Sequence, residues 1–229
     1  MLLVIDTATP ATVVGVARDD GALLAQRRHD PGPGERPGHG PMLLALAAEA
    51  LQEAGGDWGA IARIGCGVGP GTFTGLRIGV ATARALAQGL GAEVVPVSSL
   101  RALGLAERER DPADHGPVLA VLDARRGEAF VAAYDAAGSE LLAPAAWRPE
   151  RLAEAADLAP GAWRAVGDGA VRFRAELEAA GIAVAPDDAA RHRVDAAALC
   201  RLAAAGTPVE RDALVPEYVR QPDAVPRPR

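Results

Sequence analysis

The sequence predicts an α/β protein of two lobes, each a mixed sheet covered by helices. Three observations carry that prediction. Three short apolar strands open the chain as a meander, helices and strands then alternate, and the strand pattern restarts after Asp111-Pro112. With 229 residues the chain is long enough to bury a sizeable core, and that length suits two lobes sharing a waist. The first lobe is drawn as residues 1–110 and a smaller, degenerate second lobe with a C-terminal tail as residues 111–229.

Leu2 to Ile5, Thr12 to Arg18 and Leu23 to Arg27 read as strands, with Asp20-Gly21 turning the chain between the last two. His29 to Pro41 is crowded with Pro and Gly and reads as a loop. Met42 to Ala54 has helical periodicity and stops at Gly55-Gly56. Ile61 to Val68 is a buried strand, Gly75 to Leu90 a helix ended by Gly91, Val94 to Val97 a strand, and Ser99 to about Arg108 a helix. Val118 to Leu122 and Glu128 to Tyr134 flank the Arg125-Arg126-Gly127 turn, and Ala136-Ala137-Gly138 leads into Glu140 to Leu142. Arg151 to Ala156, Val171 to Ala180 and Ala196 to Ala205 read as helices, the last capped by Asp195 and ended by Gly206. A meander followed by alternation is the plan of the ribonuclease-H-like and actin-like group.

The most informative stretch is Gly69-Pro70-Gly71-Thr72-Phe73-Thr74-Gly75-Leu76-Arg77-Ile78-Gly79, a glycine-rich turn between a strand and a helix, with Thr72 or Thr74 placed to cap that helix. Its spacing matches neither the phosphate loop that ends in Gly-Lys-Ser/Thr nor a dinucleotide G-x-G-x-x-G. It does resemble, at nearly every position, the GPGSFTGLRIG signature of the bacterial TsaB family, with Thr72 where serine is usual. Leu3-Val4-Ile5-Asp6-Thr7-Ala8-Thr9, Val97-Ser98-Ser99-Leu100, Leu122-Asp123-Ala124-Arg125-Arg126-Gly127-Glu128 and Pro216-Glu217-Tyr218-Val219-Arg220 are similar to the same family.

The resemblance implies a doubled actin-like fold and a non-catalytic subunit of the machinery that makes threonylcarbamoyladenosine at position 37 of tRNA. Its implied partners are a TsaD-type catalytic transferase, a small TsaE-type ATPase and, when the chain is alone, a second copy of itself. Contact with tRNA would come through the complex, and the chain would have no cofactor of its own, ATP being possible only within the complex. The alternative, from another class, is a stand-alone ATP-dependent kinase or metal hydrolase of the same fold.

Composition bears on the alternatives. A formal net charge of -6 argues against a surface that grips nucleic acid unaided. All 24 basic side chains are arginine, a bias that carries no functional weight. Cys66 and Cys200 are too isolated for a disulfide framework or a zinc spacing. A strand pattern directly after Met1, with no basic leader and no apolar run approaching a membrane span, leads to the expectation of a cytoplasmic protein.

In ATP-handling members of the actin-like group the first hairpin carries an Asp-x-Gly-x-Thr turn. Here Asp6-Thr7-Ala8-Thr9-Pro10 lacks the glycine and gains a proline without an N–H, so Asp6 is expected to hydrogen-bond its own turn. The Asp123 to Glu128 turn and Gly167-Asp168-Gly169 stand where a second phosphate loop and an adenosine loop would lie, and are read as plain turns. The catalytic relative uses a His-x-x-x-His pair for metal, where this chain has His39 and then Leu43; His29, His115 and His192 show no ligand spacing. No tightly bound metal is expected. No Gly-x-Ser-x-Gly elbow supports a hydrolase, and Ser98 and Ser99 are expected to cap a helix.

Two helices carry more apolar surface than one buried face needs. On Met42 to Ala54, Leu43, Leu46, Ala47 and Ala50 make one face, which Leu44, Ala48 and Leu51 extend. On the other helix Gly75, Gly79, Ala83 and Ala87 recur every fourth residue as a shallow ridge, and Arg77, Arg84 and Gln88 form a narrow polar stripe. Periodicity leaves open whether the second face of each helix meets another chain or is covered by the second lobe or the His29 to Pro41 loop. The resemblance to the TsaB family implies pairing through these helices, which makes Leu43, Leu46, Ala47, Ala50, Gly75, Gly79, Ala83 and Ala87 the candidate partner interface, with no catalytic, cofactor or metal residue assigned. Ala83→Glu or Gly79→Arg is expected to abolish pairing and spare the fold.

Overall fold

The structure is a computed structural model that describes residues 1–32, 34–110 and 116–220. Its first sheet contains β1 (Leu2–Asp6), β2 (Thr12–Ala17), β3 (Leu23–His29), β4 (Arg63–Gly69) and β5 (Glu93–Ser98), in spatial order β3-β2-β1-β4-β5. β2 runs antiparallel to β1 and β3, while β4 is parallel to β1 and to β5. α1 (His39–Glu53), α2 (Phe73–Leu90) and α3 (Ser99–Arg110) connect and follow these strands.

The second sheet repeats the plan. β6 (Val118–Arg125), β7 (Glu128–Tyr134), β8 (Glu140–Trp147), β9 (Arg164–Val166) and β10 (Ala183–Val184) lie in the order β10-β9-β6-β7-β8. Again the first strand has an antiparallel meander on one side and parallel strands on the other. This is the doubled, actin-like α/β architecture that the restarting pattern predicts.

Period-two alternation explains the layers, because successive strand side chains point to opposite faces. Leu3 and Ile5 of β1 pack under α1 and α2, whereas Leu2 and Val4 face the interior between the lobes. Val118, Ala120 and Leu122 of β6 meet that interior from the other side, and Leu119 and Val121 face outward onto Leu152, Phe173 and Leu177. α3 fills the middle layer beside α6 (Ala196–Ala205), whose start is capped by the Asp195 carboxylate accepting from Ala198 N at 3.0 Å. α6, grouped with the second lobe by its place in the sequence, packs on β1, β2 and β4 of the first sheet.

Several boundaries move. α1 starts at His39, because Pro41 falls in its first turn, where a missing N–H leaves no helix bond unmade. The helix expected over 171–180 is split into α4 (Asp168–Arg172) and α5 (Arg174–Ala179) by Phe173, which leaves helical geometry (φ -107°, ψ 30°) to bury its ring. Arg151 to Ala156 lies in a 3-10 stretch, Pro149–Asp157, and β8 extends past Leu142 to Trp147. The Asp111-Pro112 boundary and His115 lie outside the described residues.

Candidate functional site

The segments that carry the sequence resemblance converge in space. At the end of β1 the Asp6 carboxylate is fully buried and accepts from Ala8 N at 3.0 Å and from Ser99 Oγ at 2.5 Å. Ser99 therefore secures the first hairpin and does not cap α3; that place belongs to Ser98, whose Oγ accepts from Arg101 N at 3.4 Å. Burial pushes the Asp6 carboxyl above its ordinary range, against the pull of those hydrogen bonds and of Arg28. Thr7 Oγ1 donates to the Gly75 carbonyl at 2.8 Å, and Thr72 N donates to the Ala8 carbonyl at 2.8 Å. Thr72 occupies the N-cap of α2 without a side-chain cap bond, so the helix start is set by backbone docking against the hairpin.

That docking explains the glycines. A Cβ on Gly75 would collide with the Thr7 carbonyl, and one on Gly79 with Thr7 Oγ1. The small residues let α2 approach the first hairpin of its own chain. The closing segment lies over the same motif: Tyr218 stacks on Phe73 with ring centroids 5.6 Å apart, and Arg77 sits 3.7 Å over the Phe73 ring and donates to the Tyr218 hydroxyl at 3.1 Å. Glu217 N donates to the Val68 carbonyl at 2.8 Å, and Arg220 reaches Ala124 O and the Glu128 carboxylate at 3.2 and 2.9 Å.

A cleft of about 330 Å³ opens between the lobes, lined by Thr9 and Pro10 on one side and by Asp168, Asp187, His192 and Arg193 on the other. The fold family places a nucleotide and its metal in such a cleft, and these residues do not suit one. Asp6 is held by Ala8 and Ser99, the Thr7 hydroxyl donates to the Gly75 carbonyl, the Ala8 N–H is taken by Asp6, and Pro10 has no N–H to offer. Asp123, in the second turn, is held by Arg172 at 2.8 Å and Arg125 at 3.2 Å, and its N–H donates to Asp168 Oδ1 at 3.0 Å. Desolvation raises the Asp168 carboxyl. Among the described residues no group of three His, Cys, Asp or Glu side chains is placed to hold a metal ion.

His39, His192 and both thiols are packed into the fold. His39 is 3% exposed, its Nδ1 lies 2.8 Å from Thr12 Oγ1, its Nε2 has no partner, and burial and then the His29 charge push its pKa down, which favours the neutral imidazole. His192 is bracketed by the Gly167 and Ala185 carbonyls, each 3.1 Å away. Desolvation drives the buried Cys66 thiol far up and the Cys200 thiol up to about 12, so neither supplies a thiolate near neutrality.

All eight candidate interface residues face inward. Leu43, Leu46, Ala47 and Ala50 of α1, and Gly75, Gly79, Ala83 and Ala87 of α2, are buried against the first sheet and hairpin of the same chain. Ala83→Glu and Gly79→Arg would therefore strike the fold itself. The outer faces of the two neighbouring helices carry apolar residues among polar ones: Leu44 (49% exposed), Ala45 and Ala48 beside exposed Glu49, Gln52 and Glu53 on α1, with Ala81 and Ala85 exposed and Ile78 half-exposed beside exposed Arg77 and Gln88 on α2. Leu44 and Ala48 were legible as an extension of the face; Ala45, Ala81 and Ala85 carried no signal beyond being apolar.

The family described as TsaD, tRNA N6-adenosine threonylcarbamoyltransferase, matches residues 36–198. An uncharacterised protein of Mycobacterium tuberculosis is 34% identical over 231 aligned positions, covering 98% of this chain and 94% of its own length. The tRNA threonylcarbamoyladenosine biosynthesis protein TsaB of Escherichia coli is 31% identical over 172 residues, 73% of this chain and 71% of that protein. The structure of YeaZ from Pseudomonas aeruginosa superimposes with a TM-score of 0.75 at 29% identity, covering 94% of this chain and 99% of that one. A doubled actin-like fold with this glycine-rich junction defines the class of threonylcarbamoyladenosine-pathway proteins. Within that class the chain belongs to the TsaB family.

Proposed function

We propose that this chain is a non-catalytic subunit of the tRNA threonylcarbamoyladenosine machinery. It binds a TsaD-type transferase through the outer faces of α1 and α2 and supports that enzyme's transfer of threonylcarbamoyl to N6 of adenosine 37. The observation that carries the reading is the combination of exposed apolar residues on the outer faces of α1 and α2 with a hairpin whose Asp6 carboxylate, Thr7 hydroxyl and Ala8 N–H are already engaged. Exposed apolar side chains on neighbouring helices are suited to a partner, and a hairpin whose aspartate is engaged and whose Pro10 has no N–H is unsuited to cradling a phosphate. The same face pairs two copies when the transferase is absent. A TsaE-type ATPase and tRNA join through the complex, ATP is bound only there, and the setting is the cytoplasm. Among the described residues no helix is long and apolar enough to cross a membrane.

Docking would act on the transferase by favouring its active arrangement, to an extent set by the difference in affinity for its states. Reconstitution tests the proposal. Modified adenosine should form when transferase, ATPase, tRNA and this chain are combined, and fall to background when the chain is omitted. The isolated chain should turn over no ATP. ATP turnover by the chain alone would favour the stand-alone enzyme and overturn the proposal.

A further inference from the structure

One face of α3 looks toward the hairpin that joins β7 to β8. Arg101, Gly104, Leu105 and Arg108 recur on it at helical spacing and line a narrow cleft, which Tyr134 and Gly138 close from the other side. Arg101 is exposed and Arg108 half-buried. Elsewhere arginines are commonly paired with carboxylates, as Arg27 is with Glu49, Arg63 with Glu93 and Arg174 with Asp187. The guanidiniums of Arg101 and Arg108 make no ion pair or hydrogen bond among the described residues. Arg101 has only the Tyr134 ring, 5.7 Å from its guanidinium carbon.

The cleft is also shaped. Gly138 has a left-handed backbone (φ +83°), and a Cβ there would collide with Arg108 Nη1, so the turn leaves room for the guanidinium. Tyr134 is 2% exposed, and its hydroxyl is buried without a partner. A buried hydroxyl in that state is rare, because it has lost water and gained nothing. The cavity measures about 40 Å³, room for about three water-sized groups at 10–15 Å³ each. Glu140 and Glu217 are the acidic groups whose field reaches Tyr134, and neither pairs with either arginine.

We propose that this cleft binds a small oxyanion, the carboxylate or phosphate head of a ligand, between the guanidiniums of Arg101 and Arg108 with the Tyr134 hydroxyl as a third donor. Two forked donors flanking a confined space match a group with two or more charged oxygens. The site lies on α3 and the second lobe, away from the outer face of α1 and α2, and it does not depend on the partner reading.

The test is a side-chain NMR titration of the full chain with inorganic phosphate and, separately, with acetate, each against chloride at equal ionic strength. Saturable shifts of the Arg101 and Arg108 Nε–H signals are expected with at least one of the two, and the preferred anion tells a phosphate source from a carboxylate source. Arg101→Ala and Arg108→Ala should each weaken binding about tenfold or more. Tyr134→Phe should weaken it while keeping the parent's melting temperature or raising it. Arg148→Ala, an exposed arginine outside the cleft, should leave it unchanged. Shifts that do not saturate with either anion, or a saturable shift of the Gly138 backbone N–H signal that persists in the Arg101→Ala/Arg108→Ala double variant, would overturn the site. So would equal weakening by Arg148→Ala, which would mark general electrostatics.

Discussion

Ala81 and Ala83 lie two residues apart on α2 and face opposite ways, so a glutamate at each separates fold from interface. Ala83 is 0% exposed, within the cluster that includes Leu43, Ile64 and Val80. A carboxyl placed there must stay protonated at pH 7. Raising its pKa from about 4.3 to above 7 costs about 4 kcal/mol at 1.36 kcal/mol per unit. Forcing the longer side chain into a filled core adds about 1–3 kcal/mol. The sum, about 5–7 kcal/mol, rivals the whole stability of a typical domain, about 5–15 kcal/mol. At about 2–4 °C per kcal/mol, Ala83→Glu should lose at least about 10 °C in melting temperature or fail to fold. Ala81→Glu is exposed and should stay within about 0.5 kcal/mol of the parent. Thermal and urea unfolding followed by circular dichroism measure both. An Ala83→Glu variant that melts within two or so degrees of the parent would refute the assignment of inner and outer faces.

Other outcomes follow from the same packing. Gly79→Ala should destabilise by about 1–3 kcal/mol in urea titrations, because its methyl would displace the Thr7 hydroxyl. Gly89→Ala, in the same helix with open space around it, should stabilise by about 0.5–1 kcal/mol. For Asp6 the folded-state pKa is raised, so the parent binds an extra proton when folded and loses stability as pH climbs from about its ordinary value of 3.8 through that raised value. Asp6→Asn removes this titration, so its melting temperature relative to the parent should increase between pH 4 and pH 7; a flat difference would show that Asp6 titrates normally. Sedimentation of the isolated chain should report a dimer that Leu44→Glu converts to monomer.

The sheets were legible because strand alternation and the two turns, Asp20-Gly21 and Arg126-Gly127, are local signals. The topology of the second sheet was legible in part, since its first three strands repeat the opening meander while β9 and β10 are too short to show a period. The break at Phe173 was not, because a core position for an aromatic ring, and no Gly or Pro, interrupts that helix. The phase of α1 and α2 was the costly ambiguity. Both sides of each helix are apolar or small, so periodicity identified two faces without ranking them. Gly75 and Gly79 looked like a ridge for another chain, and their neighbour is Thr7, which only the folded chain brings near. The engaged state of Asp6 was readable for Ala8, two residues on, and unreadable for Ser99, which is distant in sequence.

The most direct test of the account is the affinity of the purified chain for a TsaD-type transferase, measured by calorimetry for the parent and for Leu44→Glu/Ala81→Glu. The account predicts a saturable complex with the parent and no detectable complex with the double variant, whose melting temperature should match the parent's. Undiminished binding by the folded double variant, or no binding by the parent, would contradict it.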